Sequence, residues 1–288
     1  MKTAVLGSNS FSGSDFIDLL LEDSANEVLG ISRSPEKSAL FLPYLRHRAA
    51  RFHFHQADLN GDAPGILERL RVFGPDFIVN FAAQSEVAPS WENPEQWFRT
   101  NAVALAALCN ALRKMPGLGR FVQISSPEVY GTCRGIDETA PLNPSTPYAA
   151  SKAAADLFLF TLVKNFRFPL VMVRSTNVYG AHQQLWKIIP RSIIYLKMDQ
   201  KIPLHGGGKA VRSFIHVRDI SRGELAVLEK GRPGAVYHLS PETGCPVREI
   251  VQMICKAMGK DFSWNASAEK YLKLYEGALK SVASTRVR

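Results

Sequence analysis

Short apolar runs alternate with amphipathic stretches over the first half of the chain. A run such as Phe77-Ile78-Val79-Asn80-Phe81 is apolar on both faces, which is typical of a parallel strand covered by helices on either side. The pattern predicts strands at residues 2–6, 27–32, 51–56, 77–81, 121–125 and 170–174. It predicts helices between them at residues 13–21, 65–73, 95–114 and 148–166. Repeated β-α-β units of this kind predict an α/β fold with a doubly wound parallel sheet and right-handed crossovers.

The alternation ends at about residue 176. Turn clusters such as His205-Gly206-Gly207-Gly208 and short helices at 219–230 and 247–258 follow. We therefore expect two domains, residues 1–176 for a dinucleotide and 177–288 as a smaller substrate-binding lobe over the carboxyl edge of the sheet. Some elements of the second part are expected to cross back to the first. No repeat or long linker separates the lobes, so we expect the ligand to lie between them.

The composition narrows the class of protein. Hydrophobic residues make up 46% and charged residues 21% of the chain, which is ordinary for a folded globular protein. No stretch approaches the ~20 apolar residues of a membrane span. Residues 1–7 run straight into a strand pattern with no signal-peptide core, which predicts a cytoplasmic protein.

The charge and the cysteines exclude other classes. The formal charge is +9, but the basic residues are spread along the chain, so we do not expect nucleic-acid binding. Positive potential also suits an enzyme whose ligands carry diphosphates. Cys109, Cys133, Cys245 and Cys255 form no Cys-x-x-Cys pair, which predicts free thiols and no bound metal.

A glycine-bearing turn follows the first predicted strand and opens the first helix. In a Rossmann-type sheet, such a turn lets the backbone approach a pyrophosphate at a helix N-terminus. Gly7 and Gly13 provide the tight turn and the close helix–strand packing, while Ser10 stands where the middle glycine is usual and offers a hydroxyl to phosphate. With Phe11 and Ser12 they form the predicted pyrophosphate loop.

The ends of the next strands predict the rest of the dinucleotide site. The second strand ends in Ser32-Arg33, and an arginine there accommodates the 2′-phosphate of NADP, whereas an acidic residue binds the ribose of NAD. We therefore favour NADP, with NAD as the open alternative. Asp58-Leu59 follows the third strand and is placed to meet the adenine. Phe81-Ala82-Ala83 offers small residues where the cofactor crosses the sheet edge.

Tyr148 and Lys152 provide the candidate chemistry. Their i, i+4 spacing places both side chains on one face of an Ala-rich helix. A tyrosine with a pKa of about 10 is a poor base near neutrality. A neighbouring ammonium, together with the positive nicotinamide of an oxidised cofactor, favours the phenolate. Tyr148 is then able to take a proton from a substrate hydroxyl while hydride leaves the adjacent carbon.

Five longer segments add to the evidence from Tyr148 and Lys152. The sequence resembles the extended short-chain dehydrogenases that modify nucleotide sugars, most closely the dTDP-glucose 4,6-dehydratase-like branch. The matching segments cover residues 124–131, 141–148, 177–180, 187–191 and 212–219. With the loop at Gly7, the resemblance extends to about Met258, roughly nine-tenths of the chain.

The resemblance implies roles for further residues. Ser126 stands where the family has its catalytic Thr or Ser, and Glu128 matches the glutamate that removes the proton from carbon 5 of the sugar. Asn177 and Arg212 match positions that hold the substrate diphosphate. Lys187 and His205 fall in segments that line the nucleotide pocket. Gln84 and Glu86 are expected beside the sugar.

Three departures from the family pattern change what is expected. The dTDP-glucose enzymes have an aspartate where this chain has Pro127, which has no proton to give; GDP-mannose 4,6-dehydratases also have a non-acidic residue there. Glu86 replaces a histidine common near the sugar. The closing Arg-Pro-Gly and Leu-Gly-Trp motifs are absent from residues 260–288, where Trp264 is the only tryptophan.

The sequence-based hypothesis is a nucleotide-sugar 4,6-dehydratase with NADP or NAD as cofactor, Glu128 acting as both base and acid. A nucleotide-sugar 4-epimerase, a nucleotide-glucuronate decarboxylase and a non-catalytic dinucleotide-binding homologue stay open as alternatives. Glu128 weighs against the epimerase, and Glu86 opposes the substrate carboxylate of the decarboxylase. The resemblance also implies a homodimer, in which Ala-rich faces of the helices at 95–114 and 148–166 pair with their copies.

Overall fold

The computed structural model describes residues 1–47, 51–132 and 135–259. Cys133, residues 260–288 and the expectations attached to them lie outside the described residues. The strands are β1 (Lys2–Leu6), β2 (Glu27–Ser32), β3 (Phe52–Gln56), β4 (Phe77–Asn80), β5 (Arg120–Ser125), β6 (Leu170–Ser175), β7 (Asn177–Tyr179), β8 (Val211–Arg212), β9 (Phe214–His216), β10 (Val236–Leu239) and β11 (Cys245–Pro246).

The α-helices are α1 (Phe11–Glu22), α2 (Ala63–Phe73), α3 (Pro89–Glu92), α4 (Pro94–Phe98), α5 (Leu105–Leu112), α6 (Pro147–Phe166), α7 (Ile188–Lys197), α8 (Val217–Lys230) and α9 (Val247–Ala257). Short 3₁₀ turns cover Pro43–His47, Pro127–Tyr130 and His205–Gly208, and Arg99–Ala104 is a π segment. No helix of the described residues is long and apolar enough to cross a membrane.

Seven strands form one parallel sheet in the order β10-β6-β5-β4-β1-β2-β3. The predicted Rossmann-type α/β fold is confirmed. The chain turns from one side of the sheet to the other between β1 and β4, and in open α/β sheets this switch point creates the ligand crevice at the carboxyl ends of the strands. Leu6 is paired with both Ile31 and Asn80, so the loops after β1, β2 and β4 begin at the same level.

The two faces of the sheet are separated by the alternation of side chains along each strand. In β1, Ala4 and Leu6 face the layer of α2, α5 and α6, whereas Val5 faces the layer of α1 and α8. Each layer has its own buried apolar cluster, as expected for a parallel sheet covered on both sides. This double burial fixes the height of α1 and α6 relative to the carboxyl ends of β1 and β5.

Two elements differ from the sequence prediction. The predicted helix at 95–114 is three segments in the structure: α4, the π segment and α5. The π segment contains Asn101, a buried amide that makes hydrogen bonds outside its own helix. β10 lies beyond residue 176, where the sequence pattern predicts no further strand of the main sheet; it returns to that sheet and pairs with β6, Val236 lying opposite Met172.

The chain folds into two compact units. The first comprises Met1–Gln183 and Ser213–Glu242, and the second comprises Gln184–Arg212 and the described part of Thr243–Arg288. These bounds differ from the expected 1–176 and 177–288, because β7, β9, α8 and β10 belong to the first unit. The second unit contains the β8–β11 pair and a core in which Leu196 of α7 packs with Val251 and Cys255 of α9.

A buried carboxyl group lies in α8. Glu224 is 1% exposed, and neither of its carboxyl oxygens has a hydrogen-bond partner among the described residues. Burial raises the pKa of Glu224 well above its ordinary value, and the nearby Asp15 raises it further. An unpaired buried carboxylate is costly, so this group binds a proton when the protein folds.

Replacing Glu224 tests this directly. Above about pH 4.3 the unfolded chain loses this proton while the folded chain keeps it, so stability falls as the pH rises towards the folded pKa. We expect Glu224→Gln to raise the free energy of unfolding at neutral pH by about 1 kcal/mol or more and to leave it nearly unchanged at acidic pH, because each unit of pKa shift is worth about 1.4 kcal/mol. Urea unfolding at both pH values measures this. Glu229→Gln, on the exposed side of the same helix, is the control. Equal effects of both variants on the free energy of unfolding would contradict the conclusion that Glu224 is protonated in the folded protein.

Candidate active site at the carboxyl edge of the sheet

The loop after β1 is built to bring backbone close to a ligand. Gly7 has a φ of +79°, and a Cβ at this position would lie 2.6 Å from the backbone nitrogen of Ala82. A Cβ on Gly13 would lie 2.6 Å from the carbonyl oxygen of Gly7. Both positions therefore require glycine, and the first turn of α1 is left open to a pyrophosphate at its N-terminus.

Ser10 closes this loop as the N-cap of α1. Its Oγ accepts a hydrogen bond from the backbone nitrogen of Gly13 at 3.1 Å. The serine in place of a middle glycine thus has a structural role as the N-cap of α1. Phe11 and Ser12, both half-buried, form the first turn.

The loop after β2 is fixed by Asn9. The backbone nitrogen of Asn9 donates to Ser32 Oγ at 3.0 Å, and its side-chain amide donates to the carbonyl oxygens of Ser34 and Pro35. Ser32 is only 8% exposed, so its hydroxyl mainly joins two loops of the protein. Arg33 is exposed beside it.

A cleft of about 430 Å³ continues from Arg33 along the edge of the sheet. It is lined by three residues predicted from the sequence, namely Arg33, Asp58 and Gln84, and by five that the sequence pattern does not indicate, Asn60, Glu95, Gln96, Arg99 and Thr100. Leu59, Phe81, Ala82 and Ala83 are half-buried, the first three packing against the cores of the sheet. The glycine cradle and this cleft fit the pyrophosphate and adenosine of a dinucleotide.

Hydrogen bonds from several elements fix the start of α6. Thr146 is the N-cap and accepts from the backbone nitrogen of Ala149 at 3.1 Å. The backbone nitrogen of Tyr148 donates to Ser90 Oγ at 3.2 Å, which connects α6 to α3. Tyr148 and Lys152 are 9% and 3% exposed, and Lys152 Nζ donates to the carbonyl oxygen of Ile124 at 2.8 Å.

Burial controls the charges of this pair. It raises the pKa of Tyr148 to about 12, opposed by a hydrogen bond with Ser126 and reinforced by the negative charges of Glu128, Asp156 and Glu86. It lowers the pKa of Lys152 to about 8, opposed by Asp156. The protein by itself therefore favours the neutral phenol, and the phenolate expected from the sequence depends on the bound cofactor as well as on Lys152. The positive charge of an oxidised nicotinamide acts in the phenolate direction.

The segment after β5 places two further predicted residues beside Tyr148. Ser126 caps the 3₁₀ turn Pro127–Tyr130, and its Oγ accepts from the backbone nitrogen of Glu128 at 3.2 Å. Pro127 occupies the first turn, where a missing N–H costs nothing. Glu128 is exposed and acts electrostatically on the phenol of Tyr148.

Asn101 is a positioning residue that sequence reasoning missed. It is 2% exposed; its amide oxygen accepts from the backbone nitrogen of Gln84 at 2.8 Å, and its amide nitrogen donates to Gln84 O and Ser151 Oγ. It therefore joins the loop after β4 to α6. The one available signal was an amide within an apolar helical pattern, and its partners lie 17 and 50 residues away.

The predicted substrate residues fall in both units. Asn177 is in the first unit, where it is exposed and its Nδ2 donates to Ser213 O at 3.2 Å. Lys187 precedes α7, His205 begins a 3₁₀ turn and Arg212 ends β8, all in the second unit. Their roles stay predictions. Among the residues that the structure describes, no three His, Cys, Asp or Glu side chains are grouped to hold a metal ion.

Comparison with known sequences gives a family match and curated relatives. A model of the NAD dependent epimerase/dehydratase family matches residues 3–240. The sequence is 36% identical over 185 residues to dTDP-D-glucose 4,6-dehydratase of Mus musculus, covering 62% of this chain and 52% of that protein. It is 33% identical over 268 residues to dTDP-glucose 4,6-dehydratase of Streptomyces griseus, covering 90% and 79%. The chain thus spans about half the length of the mammalian relatives it matches.

Solved structures with the same fold include dehydratases and epimerases. The dTDP-glucose 4,6-dehydratase DesIV of Streptomyces venezuelae, solved with NAD bound, superposes with a TM-score of 0.83 at 32% identity over 91% of this chain and 83% of that one. The UDP-glucuronic acid 4-epimerase of Bacillus cereus, solved with UDP-glucuronic acid and NAD, gives 0.81 at 28% identity over 91% and 84%.

The glycine cradle yields a prediction about ligand binding. We expect Gly7→Ala to weaken NAD or NADP binding at least tenfold, because its methyl group would push the loop away from Ala82. Gly74→Ala is the matched control, since Gly74 also has a positive φ, +62°, but a methyl group there would meet nothing within 4 Å. Calorimetric titration measures binding, and thermal unfolding separates it from backbone strain, which is about 1 kcal/mol in both variants. Equal binding by the two variants would show that the loop does not cradle the cofactor.

Proposed function

Because the chain belongs to the NAD-dependent epimerase/dehydratase family, we propose that it is a nucleotide-sugar 4,6-dehydratase. The family resemblance inferred from the sequence motifs is confirmed by these matches. The observation that carries the finer proposal is the arrangement around Tyr148: Ser126 binds its phenol, Lys152 lies one turn away, and the carboxylate of Glu128 acts on it from the next turn of chain. Such a constellation holds a base for a hydroxyl and a second base for a carbon acid.

The first step is oxidation at carbon 4 of the sugar. When bound, the oxidised nicotinamide supplies an acceptor for the hydride of carbon 4 and the donor that returns it at carbon 6. Tyr148 takes the proton of the 4-hydroxyl, and Ser126 holds that hydroxyl by hydrogen bonding. The loop Gly7–Gly13 and the cleft beside Arg33 hold the cofactor.

The second step is elimination of water. The new ketone acidifies the hydrogen on carbon 5, and Glu128 removes it as a proton. The hydroxyl on carbon 6 then leaves, taking a proton from Glu128 and departing as water. Pro127 has no proton to give at this point, so Glu128 serves as both base and acid. When hydride is returned to carbon 6, carbon 5 takes up a proton from solvent.

A 4-epimerase is the second candidate, favoured by the structural similarity to the UDP-glucuronic acid 4-epimerase. It would need Tyr148, Lys152 and Ser126 but not Glu128. A nucleotide-glucuronate decarboxylase would hold a substrate carboxylate near Glu86 and Glu128, and both glutamates act electrostatically on the phenol of Tyr148. The negative charges of these glutamates oppose a substrate carboxylate beside them.

NADP is the cofactor we favour within the nicotinamide dinucleotides. Arg33 is exposed at the end of β2, and Arg99 lines the same cleft. Two guanidinium groups at this position suit the 2′-phosphate that NADP carries and NAD lacks. The relatives of known structure named above were solved with NAD, which is the alternative.

A homodimer is the proposed assembly. Val103 and Leu157 are 64% and 58% exposed, on the π segment and on α6, and Phe98 of α4 is 37% exposed. Small residues at Ala107 and Ala154 leave room for helices to approach closely. Burying these side chains against a second copy would remove apolar surface from water. Cytoplasmic location and the absence of nucleic-acid binding stay predictions.

Product masses test the reaction. We incubate the protein with NADP or NAD and a panel of nucleotide sugars, without added reductant. We expect loss of one water from the substrate; loss of carbon dioxide would indicate the decarboxylase and an isobaric product the epimerase. Glu128→Gln should stop the loss of water while sparing isotope exchange at carbon 4. The control is Glu68→Gln, which removes an exposed glutamate from α2. No turnover of any sugar with cofactor retained would leave only a binding protein.

Arg33→Ala tests the cofactor. A charge-assisted hydrogen bond to phosphate is worth about 1.5–3 kcal/mol, so we expect the affinity for NADP to fall about tenfold or more while that for NAD changes little. Arg71→Ala, exposed on α2, removes the same charge elsewhere. Calorimetry gives both dissociation constants. Tighter binding of NAD than NADP by the unaltered protein would overturn the preference.

A further inference from the structure

A buried carboxylate lies one helical turn beyond Lys152. Asp156 is fully buried, and its Oδ2 accepts three hydrogen bonds: from Ser125 Oγ at 2.8 Å, and from Arg174 Nη2 at 2.9 Å and Nε at 3.3 Å. Its Oδ1 has no hydrogen-bond partner among the described residues. The three groups come from α6 and from the carboxyl ends of β5 and β6, immediately beneath the candidate active site.

Arg174 is held in turn from the far side. It is 2% exposed, its Nη1 donates to the hydroxyl of Tyr130, and its guanidinium lies 4.6 Å from the centroid of that ring. The Tyr130 hydroxyl lies 2.8 Å from His238 Nε2, and the backbone nitrogen of His238 donates to Glu138 at 2.9 Å. Burial lowers the pKa of His238, so the neutral ring accepts from Tyr130.

Stability alone does not account for this arrangement. A buried ion pair rarely gains on a well-packed apolar pair, because desolvation of two charges offsets their attraction. Asp156 of this pair also acts electrostatically on a third buried charge one helical turn away, the ammonium of Lys152, which donates to the carbonyl oxygen of Ile124. A carboxylate is the group that makes a buried ammonium tolerable.

We propose that Asp156 is a positioning residue for the candidate active site: held by Ser125 and Arg174, its carboxylate keeps Lys152 charged and sets the pH at which the Tyr148–Lys152 pair releases its proton. This inference rests on the proposed function only in taking Tyr148 as the base. Asp156 does not touch the substrate, and it acts through the two side chains preceding it on the same face of α6.

The direction of the effect follows from the charges around the pair. Asp156 raises the pKa of Lys152, against the effect of burial, and also raises that of Tyr148. Glu128 and Glu86 face Tyr148 and act in the same direction as Asp156. Burial raises the pKa of Asp156, and the charges of Arg174 and Lys152 and the hydrogen bonds from Ser125 and Arg174 oppose that rise. Removing the negative charge of Asp156 therefore lowers the pKa of both members of the pair.

Titration of Lys152 tests the proposal without any sugar. Isotope-labelled lysine is followed by NMR against pH in the full chain, and Lys152→Met identifies the signal. We expect a midpoint of about 8 in the unaltered protein and a value lower by about one unit in Asp156→Asn, in which the amide keeps the shape and an acceptor oxygen. Asp219→Asn removes the same charge from the exposed surface of α8 and should leave the midpoint unchanged.

Asp156→Asn leaves Arg174 buried and without its ion-pair partner, so this variant is at risk of not folding. A second variant covers that case. Asp156→Asn with Arg174→Gln removes both charges. Because the charge of Asp156 raises the pKa of Lys152, the midpoint should fall in this variant also. In turnover, the acidic limb of kcat/KM should move to lower pH. An unchanged lysine midpoint in the folded variants would overturn the proposal. A shifted midpoint in a protein inactive on every sugar would instead overturn the proposed function.

Discussion

The burial of one ammonium group is the constraint on which the rest of this site depends. Lys152 is 3% exposed, and removing a charge from water is costly unless polar groups of the protein replace the solvent. The carbonyl oxygen of Ile124 and the carboxylate of Asp156 are those groups. They require α6 to lie at a fixed height over the end of β5, and the N-cap at Thr146 and the hydrogen bond from Tyr148 to Ser90 set that height.

The parallel sheet makes this arrangement possible because it brings distant segments to one edge. Its register places the ends of β1, β2 and β4 at the same level, so the glycine loop and the loops that carry Arg33 and Gln84 of the cleft begin at one edge of the sheet. The same register places Ser125 opposite Arg174, whose guanidinium then meets Asp156 of α6. β10 completes the network, since its His238 supports Tyr130 from the edge of the sheet. Cofactor site and charge network therefore depend on one topology.

The sequence predicts the structure well where the residues of a single helix or strand determine it. Apolar runs locate six strands of the main sheet to within one residue at each end, and the spacing of Tyr148 and Lys152 places both on one helical face. It predicts poorly where contacts between residues far apart in the chain determine the local structure. The pattern around Asn101 predicts ordinary helix rather than a π segment, because hydrogen bonds to Gln84 and Ser151 are invisible in local periodicity. β10 escapes prediction because a four-residue strand needs its partner β6 to be recognised.

By itself, the sequence determined the fold class, the glycine loop and the side chains available for proton transfer, because these follow from periodicity, backbone freedom and covalent chemistry. Only the tertiary structure determined the charge states of these side chains. The preference of Tyr148 for the neutral phenol, the weakened basicity of Lys152 and the pairing of Asp156 with Arg174 arise from burial and from neighbours brought together by the sheet. Desolvation and electrostatic interactions depend on distances in space, and these distances are set only when the chain folds.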